Sequence, residues 1–303
     1  MDRIADKGVQ CRPPNDTFEG HIRGVYAEMV KSHGSDSPVE MTRSRSCFDI
    51  CVQGHIIARQ YISAHGDEPM RIVFVGDSLT AGRPGSSYFA ILRGRLARHT
   101  LVNLGEGNDT TVSLYRRLAK LRFAEPFDIG FLWVGVNDVT RGSPWSFRVA
   151  SALTCKPPSK DLDEFRACYQ ATLDLLCCNA RRVMAVAPML KGEDINSARN
   201  RELDVLATAI EELALRHERV EYLDLRKAFI QKLSGQRISD YLPTSVIRVA
   251  VDALWLRSKE QVDRKAAERG LHLTLDGIHL NSAGAELVAE AFLKAIADSS
   301  HKP

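Results

Sequence analysis

A serine in the first third of the chain and an aspartate–histidine pair near its end are residue types that can carry out nucleophilic chemistry together. Ser78 lies in residues 71–82, which read RIVFVGDSLTAG. A serine hydroxyl is a weak nucleophile at neutral pH and needs a base to take its proton. Asp276 and His279 are three residues apart. Their spacing lets the carboxylate accept a hydrogen bond from one imidazole nitrogen and leaves the other nitrogen facing a substrate.

Both motifs also have structural interpretations. Serine is a favoured N-cap residue, so Ser78 could simply cap the helix that we predict to begin near Ser86. An Asp-x-x-His segment is common at the start of a surface helix, and Ser282 is a plausible cap for such a helix. The functional interpretation therefore depends on other chemically capable residues lying at the same place.

Three loops that follow predicted strands contain such residues. The carboxyl ends of neighbouring parallel strands meet at one edge of a sheet, where ligands bind. A serine hydroxyl, flexible backbone N–H groups and an asparagine amide should therefore converge there. The residues concerned are Gly76, Asp77 and Ser78 in the first loop, Gly107 and Asn108 in the second, and Gly135, Asn137 and Asp138 in the third.

The elements that must position these loops alternate from Met70 onward. Short apolar segments separated by amphipathic helices indicate a parallel sheet covered on both faces, which is a three-layer α/β/α fold. The predicted strands are residues 72–75, 101–104, 129–134, 183–187 and 220–223. The predicted helices are residues 88–98, 111–121, 162–178, 199–216 and 283–297.

Two longer segments interrupt this alternation. Residues 140–160 contain Trp145 and Phe147, and residues 226–275 contain Tyr241, Leu242 and Trp255. Part of the second segment has the apolar spacing of an amphipathic helix. These segments either cover the substrate or pack on the sheet, and the pattern is compatible with both.

Residues 1–69 differ from the rest of the chain and are predicted to be an N-terminal extension, with the main domain at residues 70–303. They are rich in polar residues and lack a sustained apolar period. Cys47, Cys51 and His55 are spaced by four and could share a helix face as zinc ligands. Because no fourth ligand is evident, we predict no metal site.

Composition excludes several classes of protein. The 303 residues are 44% hydrophobic with a net charge of +3, so no strong field favours nucleic acid or an anionic membrane. Basic helix residues such as Arg116 and Arg117 are interpreted as solvated. No apolar run approaches the ~20 residues of a membrane span, and no signal peptide is evident. Seven cysteines, with Cys177 and Cys178 adjacent, favour reduced thiols and a cytoplasmic location.

From Met70 to about Ala297 the chain resembles the SGNH branch of the GDSL hydrolases, which are flavodoxin-like serine esterases, lipases and carbohydrate deacetylases. The four family blocks occur in order, around Ser78, Asn108, Asn137 and His279. The resemblance implies that Ser78 is the nucleophile, His279 the general base and Asp276 its orienting partner. It also implies an oxyanion hole made by the backbone N–H of Ser78, a backbone N–H of the second block and the Asn137 amide. The remaining motif residues, Gly76, Asp77, Gly107, Gly135 and Asp138, would support these groups.

One position departs from the family pattern. Asn108 stands where the family usually has the oxyanion-hole glycine, with Gly107 before it. Asparagine tolerates a positive φ better than most residues, so a correctly placed N–H at Asn108 is still expected.

The sequence thus predicts a serine esterase that acts on a small-molecule, glycan or lipid ester without a metal or organic cofactor, and with no nucleic-acid partner. The alternative is a non-catalytic flavodoxin-like module that binds a ligand or nucleotide. Gly105 and Gly107 follow a strand, but Thr110 replaces the third glycine of a dinucleotide-binding motif. The G-x-S-x-G motif of the α/β-hydrolases is absent.

Overall fold

The computed structural model describes residues 68–140 and 144–300. Five parallel strands form one sheet in the order β2-β1-β3-β4-β5, which confirms the predicted parallel sheet. Since β2 and β3 lie on opposite sides of β1, the loops after β1 and β3 flank the point where the strand order reverses. Ligands bind at such a point in open α/β sheets. The strands are β1 (Arg71–Gly76), β2 (Thr100–Gly105), β3 (Phe127–Trp133), β4 (Ala180–Val186) and β5 (Val220–Leu223).

Helices follow the strands and cover the sheet. In chain order they are α1 (Ser78–Ala81), α2 (Tyr88–Arg95), α3 (Thr111–Leu118), α4 (Trp145–Leu153), α5 (Leu162–Asn179), α6 (Ala198–Ala214), α7 (Leu225–Leu233), α8 (Val246–Trp255), α9 (Lys259–Glu268) and α10 (Ser282–Ser300). Of these, α10 contacts α2 and α7, whereas α5 contacts α3 and α6. The helices thus form two groups.

Alternation of side chains along the strands shows why each face of the sheet needs a helix layer. Phe74 and Phe131 stack with ring centroids 5.0 Å apart, and Phe292 of α10 lies 4.5 Å from Phe131. Neighbouring residues point to the other face. There Leu176 of α5 packs beside Gly130 of β3. The central strands are buried on both faces, as the uninterrupted apolar segments predict.

The largest local difference from the prediction lies directly after β1. Ser78 begins the one-turn helix α1, and Asp77 is its N-cap, with Oδ1 accepting a hydrogen bond from the Leu79 N–H at 2.9 Å. The helix predicted near Ser86 starts at Tyr88 and is capped by Ser87. The interpretation of Ser78 as the cap of that helix is therefore wrong, and its hydroxyl remains available for other contacts.

Residues 1–67 lie outside the described part of the chain. The predicted extension and the Cys47, Cys51 and His55 spacing fall there, so the domain boundary at Met70 stays a prediction. Within residues 68–140 and 144–300, no helix is long and apolar enough to cross a membrane.

Candidate active site

The structure brings Ser78 together with Asp276 and His279, although Ser78 is about 200 residues away from them in sequence. The Ser78 Oγ lies 3.1 Å from Nε2 of His279, and His279 Nδ1 lies 2.8 Å from Oδ2 of Asp276. All three residues are buried, and Ser78 and His279 line a cleft. The nucleophile candidate, a base within hydrogen-bond reach and an orienting carboxylate thus occupy the positions that covalent catalysis requires.

A tight loop holds the aspartate and the histidine. Asp276 Oδ1 accepts hydrogen bonds from the backbone N–H groups of Ile278 (3.1 Å) and His279 (2.8 Å). Gly277 between them has φ of 85°. A Cβ atom there would lie 2.7 Å from both Leu242 Cδ2 and the Tyr241 carbonyl oxygen. Only glycine satisfies both the backbone and the space available, so Gly277 is a requirement of the loop.

The charges of this pair support each other. Burial alone would lower the pKa of His279, but attraction to Asp276 and their hydrogen bond outweigh burial and raise it above its ordinary 6.5. Burial alone would raise the pKa of Asp276, because it disfavours the charged carboxylate. The interactions with His279 nevertheless hold the pKa of Asp276 below its ordinary value. Asp276 is therefore ionised at neutral pH and stabilises a protonated His279.

Asp77 has a different environment from Asp276. It is buried beside Ser78, and burial raises its pKa to about 7, with the hydrogen bond from Leu79 acting in the opposite direction. Its Oδ2 lies 3.4 Å from Asn137 Nδ2. Asp77 thus combines two structural contacts, the α1 cap and the Asn137 amide, with a titration near neutral pH.

The predicted oxyanion-hole residues Asn108 and Asn137 both line the cleft with Ser78. Asn108 has φ of 62°, which confirms that asparagine adopts a left-handed conformation at this position. The Asn137 Nδ2 donates to the carbonyl oxygen of Asp109 at 2.9 Å. That bond fixes the amide between the loops after β1 and β2.

The supporting residues act in different ways. A Cβ atom on Gly76 would lie 2.4 Å from the Trp133 carbonyl oxygen, so close approach of β3, rather than an unusual φ, requires glycine. Gly135 has φ of 129°. Asp138 is half-buried and accepts hydrogen bonds from the N–H groups of Thr111 (2.9 Å) and Ser159 (3.0 Å). Gly107 has open space at its Cβ position, so sterics do not require glycine there.

Residues 74–287, more than half of the chain, match the model of the GDSL-like Lipase/Acylhydrolase family. The chain belongs to this family. Family membership makes it an enzyme, a hydrolase that acts on ester bonds. No curated protein sequence matches the chain significantly.

Solved structures with the same fold include two esterase or hydrolase examples. One is a catalytic mutant of Axe2, an acetylxylan esterase from Geobacillus stearothermophilus, with 19% sequence identity and a TM-score of 0.55 over 78% of this chain and 96% of that one. Another is LAE5, an alpha/beta hydrolase from the metagenome of Lake Arreo, Spain, with 20% identity and a TM-score of 0.54 over 78% and 98%. At these identities the likeness establishes the α/β/α fold.

Two buried charges of this hydrolase, in the loop after β4, were not singled out from the sequence. Glu193 accepts hydrogen bonds from three consecutive backbone N–H groups, those of His272, Leu273 and Thr274, at 2.8–2.9 Å. These residues lead directly into the Asp276 and His279 loop. Lys191 donates from Nζ to the carbonyl oxygen of Val139 at 2.6 Å, beside Asn137. The loop after β4 thus contacts both the histidine loop and the asparagine loop.

An ionic network holds the loop after β2, and it corrects the prediction that Arg117 is solvated. Arg117 is not a solvated residue, because its Nε and a terminal nitrogen donate to Asp109 Oδ2 at 3.0 and 2.8 Å. Lys156 Nζ also lies 3.1 Å from Asp109 Oδ1. These contacts anchor Asp109, whose carbonyl oxygen accepts the hydrogen bond from the Asn137 amide.

The cleft beside Ser78 has a volume of about 1080 Å³, and both inserted segments contribute to its walls. Helices α4 and α8 contact each other, and the Val246 N–H lies 3.4 Å from Ser146 Oγ. Residues 226–275 therefore do cover part of the cleft, but not through Trp255, which is 71% exposed and is not part of the cleft wall. The apolar residues of the wall include Phe147, Ala150, Pro157, Pro158, Leu242, Pro243, Val246 and Val249.

The N-cap of the C-terminal helix differs from the prediction. Asn281, not Ser282, caps α10, because its Oδ1 accepts a hydrogen bond from the Gly284 N–H at 3.0 Å.

Within residues 68–140 and 144–300, no group of three or more His, Cys, Asp or Glu side chains could hold a metal ion.

Proposed function

We propose that the protein is a serine esterase that hydrolyses carboxylic esters through an acyl-enzyme at Ser78. The observation that carries this proposal is the continuous hydrogen-bonded series from Ser78 Oγ through His279 to Asp276. His279 takes the proton of Ser78 as the hydroxyl oxygen attacks the ester carbonyl carbon. It then donates that proton to the departing alcohol. A water molecule, deprotonated by the same histidine, releases the acid and restores Ser78.

The negative charge that develops on the carbonyl oxygen needs hydrogen-bond donors. We assign this role to the backbone N–H groups of Ser78 and Asn108 and to the side chain of Asn137. One N–H of the Asn137 amide is held by Asp109 at 2.9 Å, whereas the contact to Asp77 is long, at 3.4 Å. The N–H that is only weakly held is the one available to donate to the oxyanion.

The catalytic mutants of Axe2 add support from a protein with the same fold. Each of three such mutants carries alanine in place of one residue: a serine, an aspartate or a histidine. The aspartate and the histidine are three residues apart. Asp276 and His279 have the same spacing.

We propose a small-molecule, glycan or lipid ester as the substrate, and residues 70–303 as the catalytic unit. The side chains named supply nucleophile, base and oxyanion donors, so the proposed reaction needs no cofactor. A cytoplasmic location remains a prediction from the sequence.

Hydrolysis of para-nitrophenyl esters from acetate to palmitate tests this function. We expect the wild-type protein to hydrolyse at least the short esters and Ser78→Ala to lose nearly all turnover. Ser86→Ala is the matched control, because Ser86 lies near the cleft but its Oγ faces Ser282 rather than His279. Wild-type turnover in folded Ser78→Ala would reject Ser78 as the nucleophile.

A further inference from the structure

Two cationic side chains line the cleft without a carboxylate partner. Lys191 lies in the loop after β4, and Arg199 lies in the first turn of α6. Among residues 68–140 and 144–300, neither forms an ion pair with an acidic side chain. The Nε of Arg199 is buried and has no hydrogen-bond partner. Buried donors are almost always hydrogen-bonded and buried charges are normally paired, so this arrangement needs an explanation.

Lys191 is the more deeply buried of the two, with only 9% of its surface exposed. Its ammonium group donates to the carbonyl oxygens of Val139 (2.6 Å) and Val136 (3.5 Å). These contacts satisfy protons but supply no negative charge. Burial lowers the pKa of Lys191 to about 8, and repulsion by Arg199 acts in the same direction, whereas attraction to Asp138 and Glu202 acts against them without restoring the ordinary value. The two cations are therefore close enough to destabilise each other when the cleft holds no anion.

Within the described part of the chain, two further charged side chains line the cleft, and they have opposite signs. Arg83, at the exposed rim, adds a third positive charge. Asp240 is the one carboxylate among the described residues that line the cleft, and it too lies at the exposed rim. The cleft wall thus carries excess positive charge on a chain whose overall charge is close to balanced.

We propose that Arg199 and Lys191 form a subsite for an oxyanion, a carboxylate or a phosphate, carried by the ester that this enzyme hydrolyses. This inference rests on the proposed esterase function and narrows its substrate class to anionic esters. The planar guanidinium group can bind two oxygens of such a group, and the ammonium group adds a second charge. The otherwise unpartnered Arg199 Nε would then gain an acceptor.

Pairs of esters that differ in charge test the subsite. On the alcohol side, para-acetoxybenzoate and para-acetoxyphenyl phosphate are compared with neutral para-acetoxybenzamide. On the acyl side, monomethyl adipate is compared with methyl heptanoate. We expect the wild-type enzyme to favour the anionic ester in at least one comparison. Arg199→Gln should lower that kcat/KM ratio by about 10- to 100-fold, the value of a hydrogen bond to a charged group, and Arg199→Lys should retain part of it.

Arg201→Gln is the matched control. Arg201 is an exposed arginine in the same helix, and its guanidinium group donates to the Asn196 carbonyl oxygen. Its ratio should equal that of the wild type. A binding readout uses Ser78→Ala, whose Tm should rise with the favoured anionic ester and should not rise when Arg199→Gln is added.

Three results would overturn the subsite: equal ratios in the wild type and Arg199→Gln, the same loss in Arg201→Gln, or a wild-type preference for the neutral ester in every comparison. Each of these leaves the esterase proposal intact if Ser78→Ala is inactive. Hydrolysis by Ser78→Ala would instead reject the proposed nucleophile, so the two failures are distinguishable.

Discussion

The loops at the carboxyl edge of the sheet and the helices α4 and α8 meet at the same cleft but are built differently. In the loops, polar side chains accept hydrogen bonds from backbone N–H groups: Asp138 and Glu193 bind those of other segments, and buried Asp77 binds that of Leu79 in its own turn. In α4 and α8, apolar side chains turn outward, as Trp145 and Trp255 do with more than 70% of their surfaces exposed.

This difference separates two tasks. A buried polar network has one satisfied arrangement, because any displacement leaves donors or acceptors unpaired at a cost of about 1–3 kcal/mol each. It can therefore hold reacting groups in place. An apolar wall has no such directional requirement and can change its side chains at smaller cost. We infer that the loops determine the rate of the chemical step and that the two helices determine which apolar groups of an ester fit.

The largest effect should come from breaking the loop network at its buried carboxylate. Asp276→Asn keeps the shape of the side chain but removes the charge that orients and stabilises His279. We expect kcat to fall by about 10⁴-fold, as in other serine hydrolases that lose this charge. Asp298→Asn, at an exposed position of α10, is the control in the same assay. A loss smaller than tenfold would mean that Asp276 does not support the base.

Removal of one oxyanion donor should have the next largest effect. Asn137→Ala should lower kcat by about 10²- to 10³-fold with little change in KM, because the donor acts mainly on the transition state. Steady-state kinetics against Asn196→Ala, an exposed asparagine, measure the difference. If kcat is unchanged, Asn137 only ties the loops together through Asp109.

Glu193 tests whether a residue outside the reacting groups controls the position of His279. Glu193→Gln places an N–H donor among the backbone donors of His272, Leu273 and Thr274. The free energy of unfolding should fall by about 2 kcal/mol, and kcat by about 10- to 100-fold as the histidine loop moves. Urea unfolding and kinetics are compared with Glu290→Gln at an exposed position. Lost stability with wild-type kcat would limit Glu193 to a structural role.

The strands and part of the candidate site could be predicted from the sequence. The strands were found to within about three residues, because a buried strand in a parallel sheet is a continuous apolar segment. Ser78, Asp276 and His279 could be proposed from the sequence because few residue types act as nucleophile, base and orienting acid, and because the surrounding motifs resemble those of a known family.

Other parts of the site depend on contacts between distant segments and leave no local pattern. Glu193 binds residues about 80 positions later in the chain, and Lys191 binds Val139 about 50 positions earlier. Arg117 pairs with Asp109 at a separation of eight residues, which is not the spacing of an ion pair within one helix. The turn α1 was missed because a single turn has no periodic signal, and its stability depends on the Asp77 cap.

The pH dependence of activity and stability should run in opposite directions. His279 accepts a proton only when neutral, so kcat/KM should fall about tenfold per pH unit below its raised pKa. Interaction with Asp276 stabilises protonated His279 in the folded state. That contribution is complete below pH 6.5 and is lost as the pH rises through the raised pKa.

Rate and urea-unfolding profiles across this range check both signs. Asp77, with a pKa near 7, titrates in the same range. Asp77→Asn removes that second titration and keeps an oxygen for the α1 cap, so the acid limb due to His279 should persist. Disappearance of the limb in this variant would assign it to Asp77 instead.

The smallest effect should appear at the helices. Phe147 lines the cleft and Trp255 does not. Phe147→Ala should lower kcat/KM for octanoate esters several-fold more than for acetate esters, since each buried CH₂ is worth ~0.8 kcal/mol. Trp255→Ala should leave the ratio of the two unchanged. Equal profiles for both variants would show that α4 does not contact the acyl chain.

The most direct test of the central claim is to locate the covalent adduct that an ester analogue forms with the enzyme. The protein is treated with diethyl para-nitrophenyl phosphate, digested and analysed by peptide mass spectrometry. The account predicts one diethylphosphoryl group, on Ser78, formed in step with the loss of esterase activity and much more slowly in His279→Ala. An adduct at another residue that accompanies inactivation, or full activity in protein labelled at Ser78, would contradict it.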